Sequence, residues 1–204
     1  MPVKLVTQKF VDGFMLLIQP ISNLLAAWKI HPNLITVTGL LLSVFAGLEF
    51  YLGKFVAAGI LLVLSGICDV LDGKLARSTD NASKYGALFD SSMDRYSEFF
   101  VFMGLIAYYR HSAVMVALLV FTLAGSVMTS YVRARSEGLG IDCKVGIMQR
   151  PERLTYLSAG AIFSFLWSGI MVIAILIVAV FSNITAIQRI IHSYKVGGDI
   201  DKNF

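Results

Sequence analysis

Charge is what this sequence has least of. Only 15% of its 204 residues are Asp, Glu, Lys or Arg, against roughly 25% in a soluble domain, which argues against a water-soluble fold. A mean hydropathy of +0.75 points the same way, toward the membrane. Cysteine is scarce as well. Cys68 and Cys143 are the two present, too few for a disulfide framework. Cys68, inside an apolar run beside Asp69, reads as a small packing residue. No small-residue cleavage site follows a pure apolar core near the N-terminus, so that segment makes a poor signal peptide. Internal repeats and low-complexity stretches are missing too, and one domain over residues 1–204 suffices. His31, His111 and His192 are scattered without ligand spacing, so solvated or interfacial roles are expected of them.

What is present are long apolar runs. A spanning helix needs about 20 mostly apolar residues. Ile35 to Leu52 supplies one, marred only by Glu49, and Phe55 to Val70 supplies a second that runs on into Asp72. A third starts near Tyr85, carries Asp90, Asp94, Arg95 and Glu98, and turns purely apolar from Phe99 to Tyr109. Ser112 to Val132 is a fourth. Leu154 to Gln188 contains no charge at all. As one helix it would be about 52 Å long, too long for a hydrocarbon core of about 30 Å. It must fold back, most simply at Ser168-Gly169, which brings the expectation to an all-α bundle of six transmembrane helices. Residues 1–30, where Lys4, Lys9 and Asp12 interrupt Phe10, Phe14, Leu17 and Ile18 ahead of Pro20, are expected to be a juxtamembrane amphipathic segment lying in the interface. Pro32-Asn33 then looks like a helix start, with Asn33 near the cap.

Orientation follows from the basic residues. The segments outside the runs alternate between basic-rich and basic-poor. Lys4, Lys9 and Lys29 precede the first run and only Lys54 follows it; Lys74, Arg77 and Lys84 come next, then only Arg110. Arg133, Arg135, Lys144, Arg150 and Arg153 follow, then none near Ser168, then Arg189, Lys195 and Lys202. An even number of spans places both termini on the cytoplasmic side of the cell membrane.

Four aspartates stand out against this apolar background. A carboxylate at membrane depth costs at least about 2.5–3.5 kcal/mol. Asp69, Asp72, Gly73 and Ala76 share one face of a helix at i, i+3, i+4 and i+7, and Gly86, Asp90 and Asp94 share one face of the next at i, i+4 and i+8. The short connection makes these helices antiparallel neighbours, so four carboxylates can converge on one cavity. A divalent cation is the natural compensation, and all-oxygen ligation favours Mg²⁺ or Mn²⁺ over zinc. The small residues on the same faces let a ligand lie against the backbone. Helix caps or ion pairs would leave the charges without a purpose. An ion or proton path would have to continue across the bilayer, yet the outer halves of these helices lack acidic groups apart from Glu49.

The two runs read Asp69-Val-Leu-Asp72-Gly73-Lys-Leu-Ala76-Arg77 and Gly86-Ala-Leu-Phe-Asp90-Ser-Ser-Met-Asp94. This resembles the DxxDGxxAR and GxxxDxxxD signature of the CDP-alcohol phosphotransferase family, with every fixed position filled. The resemblance implies transfer of a substituted phosphoryl group from a CDP-linked donor to an alcohol, releasing CMP. It implies metal ligation by Asp69, Asp72 and Asp90, and a general base at Asp94 that also touches a second divalent ion. For the CDP donor it implies Asn33, Thr36, Asp69, Gly73, Ala76, Arg77, Ser83 and Gly86.

The second half bears on the acceptor. Ser130-Tyr131-Val-Arg133-Ala-Arg135-Ser-Glu137 ends the fourth run, Gln149-Arg150-Pro151-Glu152-Arg153-Leu154 opens the fifth, and Gln188-Arg189 closes the sixth. A cluster of Arg forks suits a phosphate dianion, although the positive-inside rule alone would also place Arg there. With Asp94-Arg95-Tyr96-Ser97-Glu98 these runs resemble the family's phosphatidylinositol-phosphate synthases and their archaeal-lipid counterparts. They join CDP-diacylglycerol, or an ether analogue, to inositol 1-phosphate. By that resemblance Ser130, Arg133, Arg135, Arg150, Arg153 and Arg189 bind the acceptor phosphate. Glycerol 3-phosphate is the alternative acceptor. Serine offers no phosphate for the arginines, and a CDP-inositol donor would give a soluble product instead. The partners expected are thus a CDP-linked lipid, a phosphorylated polyol, the bilayer and a second copy of the chain, with no nucleic acid. The small runs Ala124-Gly125-Ser126 and Ser158-Ala159-Gly160 suggest close helix contacts, within one chain or across a dimer.

Overall fold

The computed structural model of the protein describes residues 8–79 and 82–201, with side chains for 18–79 and 82–197. Among the described residues there are seven α-helices and no strand. They are α1 (Gln8–Ala27), α2 (Pro32–Tyr51), α3 (Phe55–Ser78), α4 (Lys84–Tyr108), α5 (Ala113–Gly138), α6 (Arg150–Phe163) and α7 (Gly169–Asp201). Four have the length and apolarity to cross a membrane: α2, α3, α5 and Gly169–Gly197 of α7. The other two expected spans differ. Helix α4 carries Asp90, Asp94, Arg95 and Glu98 along its first two-thirds, and α6 has 14 residues, about 21 Å against a core of about 30 Å. The reversal expected at Ser168-Gly169 is present, since α7 opens at Gly169. The amphipathic segment expected over 1–30 falls partly outside the described side chains. Within α1, Ile21 and Leu24 are exposed, and so is Trp28 just after it.

The chain divides into two compact units, α1–α4 and α5–α7. In the first, α2 packs along both α3 and α4. A Cβ on Gly47 would collide with the Phe100 carbonyl oxygen of α4, and one on Gly104 with the Gly47 carbonyl oxygen. The two backbones touch, as only glycine permits. Against α3, the hydroxyls of Ser43 and Ser65 stand 2.8 Å apart and Ser65 Oγ donates to the Gly39 carbonyl at 2.9 Å. These bonds satisfy buried polar groups where lipid offers no substitute. Helices α3 and α4, expected as antiparallel neighbours, share α2 as a packing partner, and their acidic side chains meet. Both lean on α2, because α2 carries the small residues that allow close approach on each side.

Helix α2 begins at Pro32 as expected, but its cap is His31 rather than Asn33. The His31 ring Nδ1 accepts from the Asn33 backbone N–H at 3.2 Å. That histidine is a cap, not merely a solvated side chain.

In the second unit α7 is the shared partner, packing on both α5 and α6. Gly125 of α5 faces Asn183 of α7, and Gly160 of α6 faces Ala174 of α7. Both small-residue runs therefore make contacts inside one chain. Asn183 Nδ2 donates to the carbonyls of Ala179 and Phe121, and Thr129 Oγ1 donates to the Ser182 carbonyl at 2.9 Å.

Candidate active site

Asp69 and Asp72 lie in the second half of α3, and Asp90 lies in the first third of α4. One carboxylate oxygen from each lies within 4.8 Å of the others. Asp72 is 4% exposed, and its Oδ2 accepts a hydrogen bond from Thr36 Oγ1 of α2 at 2.6 Å. That bond orients the carboxylate toward its two neighbours. Three carboxylates so close repel one another unless a cation lies among them. A hard, all-oxygen donor set of this kind fits Mg²⁺ or Mn²⁺.

Asp94 follows Asp90 on the same helix. It is one turn further along α4, about 5.4 Å of rise, with Oδ2 at 3.5 Å from Arg95 Nη2. Arg95 in turn has Nε at 3.8 Å from Glu98 Oε2. Three of the four expected carboxylates form the 4.8 Å group, with Asp94 next on the same helix.

An open cavity of about 620 Å³, including space continuous with solvent, adjoins the trio. Asn33, Thr36, Asp72, Gly73, Ala76, Arg77, Ser83, Gly86 and Asp90 line it, together with Pro32, Ala82 and Ala87. Of the residues expected to meet the CDP donor, Asp69 alone is not on that wall. The glycine in the first run has a visible purpose: the Arg77 guanidinium lies over Gly73, with Nη1 3.4 Å from where a Cβ would stand. A cation thus sits beside bare helix backbone at the cavity wall, an arrangement suited to a diphosphate. Ser83 caps α4, its Oγ accepting from the Gly86 N–H at 2.9 Å. Pro32, Ala82 and Ala87 were not singled out by spacing. They have no polar group to advertise a role, and only the fold reveals that they form the wall.

The arginines of the second unit fall into distinct environments. Arg153 and Arg189 are each 2% exposed. Arg189 donates through Nε to the Val145 carbonyl at 2.8 Å and through Nη1 to the Thr129 carbonyl at 2.6 Å. Arg150 is half-buried at the start of α6, where the Glu152 carboxylate accepts from the Gln149 N–H at 3.1 Å. Arg133 is paired with Glu137 at 2.8 Å. Arg135 is exposed and, two residues along a helix from Arg133, points to the other side. Ser130 is half-buried and donates to the Ser126 carbonyl at 3.4 Å.

Apolar helices of membrane length with clustered carboxylates beside a polar cavity define a membrane-embedded, metal-dependent transferase. Residues 29–187 match the CDP-alcohol phosphatidyltransferase family, and the chain belongs to it. The archaetidylinositol phosphate synthase of Pyrococcus horikoshii is 36% identical over 179 residues, 87% of this chain and 91% of its own. The phosphatidylinositol phosphate synthase of Mycobacterium tuberculosis is 31% identical over 191 residues, 90% of this chain and 88% of its own. The crystal structure of the latter with CDP-DAG bound superimposes with a TM-score of 0.78 at 31% identity, covering 86% of this chain and 92% of that one. Its complex with manganese and citrate gives a TM-score of 0.79 at 30% identity, covering 86% and 88%.

Proposed function

We propose that this enzyme transfers a phosphatidyl-type group from a CDP-linked lipid, CDP-diacylglycerol or an ether analogue, to the hydroxyl of inositol 1-phosphate, releasing CMP. The observation that carries this reading is the Asp69–Asp72–Asp90 trio opening onto a cavity walled by Asn33, Thr36, Gly73 and Arg77. The names of its relatives support the acceptor side of the proposal.

Two bound divalent cations, Mg²⁺ or Mn²⁺, would neutralise charge on the diphosphate and on the departing CMP. Asp69, Asp72 and Asp90 hold them, and Asp94 completes the set on the acceptor side. Arg77, Asn33 and Thr36 orient the diphosphate, while Gly73, Ala76 and Gly86 let the cytidylyl group lie close to the backbone, with Ser83 beside it. Asp94 takes the proton of the acceptor hydroxyl as that oxygen attacks the lipid-bearing phosphorus and the bond to the CMP oxygen breaks. Its position one turn from the trio suits this: a carboxylate fully engaged with metal would be a poor base. Ser130, Arg133, Arg135, Arg150, Arg153 and Arg189 supply the donors for the acceptor phosphate, with the buried Arg153 and Arg189 as its main partners.

The same reading takes residues 1–204 as one membrane domain with six crossings. In it α4 spans because its charges face the site rather than lipid, and α6 spans together with the turn that follows it. Residues 1–30 lie in the interface, both termini and the site face the cytoplasm, and the enzyme works as a homodimer.

The experiment is direct. Purified protein receives labelled CDP-diacylglycerol, Mn²⁺ or Mg²⁺, and either inositol 1-phosphate or glycerol 3-phosphate. CMP release with inositol 1-phosphate alone upholds the proposal. Release with glycerol 3-phosphate alone replaces it with phosphatidylglycerophosphate synthesis.

A further inference from the structure

The connection between α5 and α6, residues 139–149, is not a slack loop. It is fastened along one face of α7 from end to end. Met148 N–H donates to Thr185 Oγ1 at 2.9 Å, and the Val145 carbonyl accepts from Arg189 Nε at 2.8 Å. The Asp142 carbonyl lies 3.1 Å from His192 Nε2, and Cys143 Sγ lies 3.6 Å from Ser193 Oγ. Thr185, Arg189 and His192 stand at i, i+4 and i+7, a single stripe of the helix. Ile141, Cys143 and Met148 are buried beneath the connection.

Within this zipper one contact differs from the rest. Thr185 is fully buried and reaches the connection with both branches of its side chain. Its hydroxyl receives the Met148 N–H, and its methyl fills the space where any side chain at position 146 would have to sit. Gly146 has φ +124°, a conformation that side chains other than hydrogen rarely adopt. Met148 directly precedes Gln149 and the first turn of α6, which bears Arg150 and Arg153. One helical turn along α7 from Thr185 is Arg189, whose guanidinium is aimed by the carbonyl of Val145, the residue before Gly146.

We infer that Thr185 and Gly146 form a latch that holds the connection on α7 and thereby positions Arg150, Arg153 and Arg189 for the acceptor phosphate. This rests on the acceptor reading above. Thr185 is a positioning residue: it has no need to touch substrate, and its effect passes through the arginines. The hydroxyl is the essential part, because it gives the buried Met148 N–H its acceptor. Valine supplies the shape without the acceptor, leaving a buried N–H unsatisfied. Serine supplies the acceptor without the methyl.

The test uses the full-length enzyme in lipid nanodiscs. Two readouts are followed: KM for inositol 1-phosphate, and the rate at which N-ethylmaleimide labels Cys143, resolved from Cys68 by peptide mapping. Cys143 has no exposure in the closed connection, so its labelling reports opening. Thr185→Val is expected to raise both by about tenfold, with kcat and the KM for CDP-diacylglycerol unchanged. Gly146→Ala, approaching the latch from the other side, should reproduce that signature even if Thr185→Val folds poorly. Thr185→Ser should stay close to wild type. Lys144→Ala removes only an exposed ion pair with Asp142 and should change neither readout. Faster Cys143 labelling with an unchanged acceptor KM would overturn the inference. So would a raised KM with unchanged labelling, or a Lys144→Ala effect equal to that of Thr185→Val. If neither phosphorylated alcohol yields CMP, the acceptor reading fails and calorimetry with inorganic phosphate decides the latch. Roughly tenfold weaker phosphate binding in Thr185→Val upholds it, and equal binding overturns it.

Discussion

The two units of this enzyme are built on one plan and carry their chemistry differently. In each, one helix serves two neighbours: α2 holds α3 and α4, and α7 holds α5 and α6. In the first unit the functional groups project from helices at regular spacing, and hydrogen bonds between helices are few and specific, such as Thr36 to Asp72. In the second, hydrogen bonds hold the connection at 139–149 against α7, and one of them engages the buried Arg189. The first unit therefore presents a rigid, locally encoded metal site. The second carries the arginines proposed for the acceptor phosphate, drawn from segments far apart in the chain. Losses in the first should act on metal and donor; losses in the second should mix acceptor affinity with stability.

The sharpest break in that comparison is removal of a trio member. Asp72→Asn should abolish CMP release, by more than about 10³-fold, and weaken Mn²⁺ binding measured by calorimetry. Asp94→Asn should lower kcat by about 10²–10⁴ while Mn²⁺ and CDP-diacylglycerol binding persist, because Asp94 stands outside the trio. Loss of metal along with rate would make Asp94 as essential to metal binding as the trio. Thr36→Val removes the bond that aims Asp72 and should weaken Mn²⁺ affinity by about 10- to 100-fold, as supporting hydrogen bonds at metal sites do.

On the other side of the comparison, Arg189→Ala should raise the KM for inositol 1-phosphate and also lower the melting temperature by several degrees. The truncation leaves the Val145 carbonyl without its donor and removes a second bond to the Thr129 carbonyl, at about 1–3 kcal/mol for a buried group left unpaired. A clean KM effect with no thermal shift would show that the second unit does not depend on this residue for its assembly. The smallest effect is expected at Gly138, where a Cβ would meet nothing within 4 Å. Gly138→Ala should be near neutral, whereas Gly104→Ala, which drives a methyl into the Gly47 carbonyl, should destabilise by at least about 1–3 kcal/mol. Comparable melting curves for the two variants would remove the backbone contact of α2 and α4 from the account.

Much of the first unit could be read before any coordinates. Asp69, Asp72 and Gly73 recur at helical spacing, and so do Gly86 and Asp90, because a helix converts i, i+4 into a shared face without reference to anything else. The reversal at Ser168-Gly169 followed from length alone, since an uncharged stretch of that size exceeds the bilayer. Other features gave no such signal. His31 as the cap of α2 was hidden because histidine is not a favoured capping residue. Pro32, Ala82 and Ala87 on the cavity wall were hidden because an apolar side chain looks the same whether it faces a ligand or a neighbour. Thr185 was hidden because its partner, Met148 N–H, belongs to the backbone of a distant segment.

The amino-acid order by itself determined the helical, membrane-embedded class, the family signature and which carboxylates share a face, because local periodicity and apolar length act within a single helix. Only the tertiary structure decided that Asp69, Asp72 and Asp90 come within 4.8 Å of one another, that α2 and α7 are the shared partners, and that Arg189 is aimed by the chain between α5 and α6. Those outcomes depend on which backbones can approach, and approach is governed by small residues and buried hydrogen bonds between segments that sequence spacing does not connect.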